Sequence, residues 1–303
     1  MLAISLATFA VAGCGSERVP IGSFETSALT RVDAGQVDSN GTLGTEDAQS
    51  PEFYMLPPGF TPVTKGGYKL GEPFNSSMLP AATDAGSNNR CTGQILGVMR
   101  DFKRGDWPDG HPDFETFAGD GEKGIVQPML GSDSKPVYVD ATHKFTTSKT
   151  NFDQWYRNVQ GVNFPYLIYL VVEPNLGVFT FDSQSFFPLD DKGFGNQDLE
   201  HNFSFTTEVH TTFLYNGGEV FKFTGDDDLW VFINGRLGID LGGLHPSQSD
   251  TIFLDLEAAK LGLEKGRLYA LDLFHAERHS HASNFRIDTN IEFVNCAIIV
   301  DVR

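Results

Sequence analysis

From Gln94 onward the chain is a succession of short apolar runs punctuated by tight-turn residues, and that punctuation restricts it to an antiparallel β fold. Runs of strand length occur at Gln94 to Val98, Tyr166 to Val172, Gly177 to Phe181, Phe203 to Tyr215, Glu219 to Thr224, Leu229 to Asn234, Thr251 to Leu256, Leu268 to Phe274, Phe285 to Phe293 and Ala297 to Val302. Asn216-Gly217-Gly218 and Asn234-Gly235 supply the residues that tolerate positive φ, which tight hairpins require. Helical signals are short, at Phe152 to Arg157 and Glu257 to Leu263, the second expected to end at Gly266. Strands without βαβ alternation stack as a sandwich or close as a barrel. The 26 Phe against 5 Met predict an aromatic-rich core.

The acidic balance, a formal charge of −18, argues against nucleic acid, because phosphate recognition needs clustered Lys and Arg. It fits an exported domain or one that binds cations through carboxylates. Leu2 to Ala12 is too short to span a bilayer but has the length of a signal-peptide core. It leads into Val11-Ala12-Gly13-Cys14, which resembles a bacterial lipobox, although no Lys or Arg precedes it. Residues 1–13 are therefore read as a lipoprotein signal peptide and Cys14 as the lipidated residue, with Gly15 favouring the outer membrane or cell surface. Residues 14–90, rich in Gly, Ser, Asp and Pro, read as a flexible tether, with a more apolar stretch at Glu52 to Val63. Residues 91–303 form the folded domain. Cys91 and Cys296 stand at its two ends, and in an exported protein they are expected to pair as a disulfide worth about 4–5 kcal/mol on the chain-entropy account.

The chemistry concentrates in Gly225 to Gly243, GDDDLWVFINGRLGIDLGG. Asp226, Asp227 and Asp228 repel one another just where a buried strand begins, which is unfavourable unless water or a hard cation compensates them. Two readings stand open: a cation site, or a hydrated turn capping the strand. A second polar loop, His275 to Asn284, follows the Leu268 strand and offers Glu277 and Asn284 as oxygen ligands. Arg278 is placed to pair with an acid of the run. Zinc held by His245, His275 and His279 is the alternative, but Glu277 does not fit the HExxH spacing. Trp230 and Phe232, two apart in one strand, share a core face. Trp155 is expected in the core, and Trp107, in Gly105-Asp106-Trp107-Pro108-Asp109-Gly110, is the better exposed aromatic. No Gly-x-Ser-x-Gly elbow or phosphate loop is present, so a binding module rather than an enzyme is expected.

Phe203-Ser204-Phe205, Tyr215-Asn216-Gly217-Gly218, Phe221 to Asp227 and Asn234-Gly235 resemble the core of the protective-antigen-type (PA-type) β-barrel superfamily. More narrowly, the chain resembles the fibro-slime domain. That likeness rests on Val98-Met99-Arg100-Asp101-Phe102, His111-Pro112-Asp113-Phe114-Glu115, Lys135-Pro136-Val137-Tyr138, Phe152 to Tyr156, Gly225–Gly243, His275 to His279 and Ser283-Asn284-Phe285-Arg286. The resemblance implies an all-β PA-type sandwich or barrel with long loops and few short helices, serving carbohydrate recognition or adhesion. In flocculin-type relatives two adjacent Asp joined by a cis peptide hold calcium, and the ion binds sugar hydroxyls. Asp226 and Asp227 match that pair, with Asp228 where Gly is frequent. The implied ligands are Asp226, Asp227, Asp228, Glu277 and Asn284. Trp107, His245, His275, Arg278 and His279 are expected around an extracellular glycan.

Overall fold

The computed structural model describes residues 68–73, 94–175 and 177–298, all within the unit Asp47–Arg303. Cys14, Cys91 and most of the expected tether lie outside these residues, so neither the lipid anchor nor the Cys91–Cys296 pairing falls on described structure.

Thirteen strands and two short helices follow one another among the described residues. They are β1 (Tyr68–Pro73), β2 (Gln94–Phe102), α1 (Lys149–Phe152), β3 (Asn163–Val171), β4 (Glu173–Asn175), β5 (Val178–Ser183), β6 (Phe205–Tyr215) and β7 (Val220–Gly225). Then come β8 (Asp228–Ile233), β9 (Arg236–Leu241), β10 (Gln248–Phe253), α2 (Leu254–Leu261), β11 (Arg267–Glu277), β12 (Phe285–Thr289) and β13 (Phe293–Ile298). All strand pairs are antiparallel. The larger sheet runs β1-β3-β2-β6-β11-β8-β9, with β13 paired to β6, and the smaller runs β10-β7-β12-β5-β4. The expected all-β sandwich with few short helices is what forms.

Alternation along each strand builds the core between the sheets. Leu229, Val231 and Ile233 of β8, Leu271 and Leu273 of β11, and Phe205, Val209 and Phe213 of β6 meet Phe181, Phe221, Phe223, Phe285 and Ile287 of the smaller sheet. The other face of the larger sheet is buried too. Residues 103–162, between β2 and β3, lie over it and press Phe114, Ile125, Tyr138, Phe152 and Trp155 against Trp230, Phe232 and Phe274. All six residues of β8 are buried as a result, which explains why Leu229–Ile233 is unbroken apolar rather than alternating. Trp155 and the Trp230–Phe232 pair are thus core residues, but in this outer core.

Several boundaries differ from the sequence reading. Tyr68–Pro73 adds an edge strand to β3 inside the stretch read as tether. Arg236–Leu241, absent from the strand-length runs, is β9. Phe285 to Phe293 breaks into β12 and the start of β13. Helix α2 ends at Gly262 rather than Gly266. Gly262 takes φ 69° and its N–H bonds Ala258 O, the left-handed cap that a residue without Cβ adopts readily.

Candidate functional site

The ladder registers bring five connections to one end of the sandwich. Asp101 of β2 pairs Phe205 of β6, Phe205 pairs Glu277 of β11, Ser183 of β5 pairs Phe285 of β12, Phe285 pairs Gly225 of β7, and Leu229 of β8 pairs Leu241 of β9. So the segments 103–162, 184–204, 226–227, 242–247 and 278–284 all leave from this edge. Four of them carry the chain between the two sheets, and two of these, the Asp226-Asp227 corner and the 278–284 loop, face each other.

The corner is tight. Asp227 has φ 54°, and its N–H donates to His245 O at 3.2 Å. No cis peptide bond occurs among the described residues, which corrects the cis linkage the resemblance implied: the reversal is made by the left-handed backbone of Asp227. Asp226 is gripped by Asn284, whose backbone N–H reaches Oδ1 at 2.6 Å and whose Nδ2 reaches Oδ2 at 2.8 Å. Asp227 Oδ2 accepts from the Arg278 backbone N–H at 2.8 Å. Glu277 lies close enough to Asp227 and Asp226 for their charges to act on it. Asp226 and Asp227 are each 6% exposed and Glu277 is fully buried. Burial pushes the Asp227 carboxyl up. Burial and the neighbouring charges of Asp227 and Asp226 push Glu277 well above the usual carboxylate range. Glu277 Oε2 has no hydrogen-bond partner.

Asp228 points the other way, into the outer core. Its Oδ1 accepts from Gly243 N at 2.7 Å, and its Oδ2 lies 2.6 Å from both Nε and NH2 of Arg278. Gly243 has φ 77°, and a Cβ there would stand 2.5 Å from Glu122 N, so the approach requires glycine. Arg278 NH1 also donates to Asp113 O at 2.6 Å and Phe145 O at 2.8 Å, and the guanidinium lies 4.4 Å from the centre of the Trp155 ring. Trp155 Nε1 in turn donates to Asp113 Oδ2 at 3.1 Å. Arg278 therefore ties the corner, β11 and the 103–162 segment together.

The remaining expected residues separate. His275 lies on the inner face of β11 among Phe186, Phe205 and Phe285, without a hydrogen-bond partner on either ring nitrogen, and burial lowers its pKa to about 3. Arg278 and His275, expected around a glycan, are thus enclosed by protein, as is Asp228. His245 is buried with its ring nitrogens near Leu241 O and Pro246 O, at 3.1 and 2.9 Å. His279 is at the rim, 3.5 Å from Glu115. Trp107 is half-buried in its own turn, where its N–H donates to Arg104 O at 3.0 Å. Sequence reasoning missed Asp113 and Glu115. Glu115 accepts from Ser280 N and Oγ at 2.9 and 2.5 Å, closing the 278–284 loop from outside.

The donor set fits a hard cation: carboxylates of Asp226, Asp227 and Glu277 and the amide of Asn284 are all oxygen-bearing. Among the described residues, however, no group of three or more His, Cys, Asp or Glu side chains is placed to hold a metal ion.

Residues 176–299, less than half of the chain, match the PA14 domain family. The chain is similar to portions of two Dictyostelium discoideum proteins: protein psiC, 38% identical over 216 residues that cover 63% of this chain and 41% of psiC, and protein psiR, 38% identical over 205 residues that cover 61% of this chain and 20% of psiR. The chain thus spans about two fifths of one relative and one fifth of the other. A solved PA14 sugar-binding domain from an RTX adhesin aligns over 65% of this chain and 90% of its own, at 9% identity and a TM-score of 0.28. The PA14 domain of the MpAFP antifreeze protein aligns over 43% and 80%, at 11% identity and 0.24. At these scores neither ligand nor site transfers.

Proposed function

We propose that this chain is a cell-surface carbohydrate-binding or adhesion module that holds calcium at the loop end of its sandwich. The carrying observation is that Asp226, Asp227 and Glu277 are enclosed together while the neighbouring Arg278 guanidinium is committed to Asp228. A cation among enclosed carboxylates would offset the cost of burying their charge. Asp226, Asp227, Glu277 and Asn284 would hold the ion, which supplies a Lewis-acidic point for sugar hydroxyls. Asp228 and Arg278 support the corner from behind, and His279 and the 278–284 loop form the rim. The PA14 match agrees with the sugar-binding expectation. In this reading Cys14 carries a lipid that anchors the exported domain to the outer membrane or cell surface, and its partner is an extracellular glycan.

A glycan array probed with the full chain, with calcium and with a chelator, tests the reading. Binding to a set of glycans that chelation abolishes is expected; silence in both conditions contradicts it. One observation favours a second reading, a purely architectural corner: each of the three Asp already accepts N–H donors from Asn284, Arg278 or Gly243. Under that reading the module binds protein or wall partners through other surfaces, and chelation changes nothing.

A further inference from the structure

Away from the loop end, the outer face of the larger sheet carries an enclosed set of ionisable side chains. Strand alternation places Glu208 and His210 of β6, Asp272 of β11 and Arg100 of β2 on this face, and the 103–162 segment lowers Lys135 onto them. Lys135 is 1% and Glu208 2% exposed. Glu208 Oε1 is contacted by Lys135 Nζ and lies 2.5 Å from His210 Nε2, while Oε2 accepts from Arg100 NH1 at 2.7 Å. His210 Nδ1 is 2.6 Å from Asp272 Oδ1. Phe274 stands opposite Glu208 in the ladder, its ring 5.6 Å from that of His210 and 5.0 Å from that of Tyr156.

A structural ion pair needs one cation on Glu208. Here the carboxylate meets a nucleophilic amine and an aspartate-backed imidazole at Oε1 and a guanidinium at Oε2. We propose that Lys135 and Glu208 condense into an intramolecular isopeptide bond, catalysed by their own surroundings. The ion pair first passes a proton from Nζ to Oε1, giving a neutral amine and a neutral acid. Nζ then attacks Cδ of Glu208, and the charge developing on Oε2 falls on the Arg100 guanidinium, which serves as the oxyanion partner. His210, oriented by Asp272, donates its Nε2 proton to Oε1 as the Cδ–Oε1 bond breaks and recovers one from the amide nitrogen. The products are a secondary amide and one water; no oxidant, reductant or co-reactant enters.

The environment eases release of the nucleophile and donation by His210, while Arg100, Lys135 and His210 hold the Glu208 carboxyl well below the usual carboxylate range, so the first proton transfer is the uphill step. Burial outweighs the attraction of Glu208 and holds the Lys135 ammonium below its usual range, which eases release of the nucleophile. Burial would lower His210, but hydrogen bonds with Asp272 and Glu208 prevail and hold it above its usual value, ready to donate. A desolvated ion pair is costly, whereas an amide with its carbonyl on Arg100 is not, and the fold supplies the proximity that free amine and acid lack. The bond would fasten the 103–162 segment to β6 across 73 residues of sequence, covalently closing the outer core.

Peptide mapping of the folded full chain by mass spectrometry decides the matter. The expected result is a branched peptide joining Lys135 to Glu208, lighter than its two components by one water, absent in Lys135→Met. His210→Gln is expected to leave a larger unlinked fraction at early times after synthesis. Separate, unmodified Lys135 and Glu208 peptides from the aged wild type would overturn the proposal. So would a loss of water that persists in Lys135→Met, as a succinimide at Asp109-Gly110 or Asp120-Gly121 would give.

Discussion

Replacing Arg278 by Met is expected to destabilise the domain by about 3–5 kcal/mol, because it strands a fully buried carboxylate. Asp228 would keep only the Gly243 N–H, and the carbonyls of Asp113 and Phe145 would each lose their guanidinium donor. The loss is not simply that of a favourable pair. The charges cost much to desolvate, and what the fold cannot tolerate is one without the other. Arg278→Met combined with Asp228→Asn should therefore recover more than half of the deficit, since the neutral amide can still accept from Gly243. Lys at 278 should recover little, because it cannot reach a carboxylate and two carbonyls from fixed directions. Urea unfolding of the three variants measures this. A cost below about 1 kcal/mol for the single change would show that Arg278 does not fasten the corner.

The second large effect is a pH dependence set by Asp101. This carboxylate ends β2, fully buried, accepting from Asn202 Nδ2 at 2.7 Å and Phe194 N at 2.5 Å. Burial outweighs those bonds and pushes its pKa up to about 7. In the unfolded chain the value is about 3.9, so the folded form binds the proton more tightly. The stabilisation is therefore fully present below about pH 4 and is lost as pH rises through about 7, up to roughly 4 kcal/mol in all. Relative to Asp101→Asn, the wild type should be more stable at pH 5 than at pH 8. Chemical unfolding of both proteins across that range checks the sign; a difference that grows with pH would contradict it. Since Asp101 holds Phe194 and Asn202, the same titration should loosen the 184–204 segment first.

The sequence displayed the sheets better than their surroundings. Runs such as Leu229 to Asn234 and Phe203 to Tyr215 declare themselves because each strand carries its own period or its own unbroken apolar stretch. The acid corner was visible for a related reason: three carboxylates before a buried strand conflict with local preference, and such conflicts gather at sites. Nothing local announces that 103–162 covers the outer face. Glu208 and His210 flank Val209 as solvent-facing residues would, and Lys135, far away in sequence, comes down over them. Arg278 bonds Asp113 across 165 residues, a pairing that no window of sequence contains. His275 and His279, four apart, looked like partners. On an extended strand that spacing separates them, and the first is among phenylalanine rings while the second meets Glu115.

The account centres on a cation held by Asp226, Asp227 and Glu277, and calorimetric titration of the full chain with calcium tests that most directly. The wild type should give saturable heat and, at calcium about 100-fold above its dissociation constant, gain about 2.7 kcal/mol of stability with a matching rise in Tm. Asp226→Asn/Asp227→Asn should fold and give neither. Absence of heat and an unchanged Tm in the folded wild type would contradict the account and leave the corner as architecture.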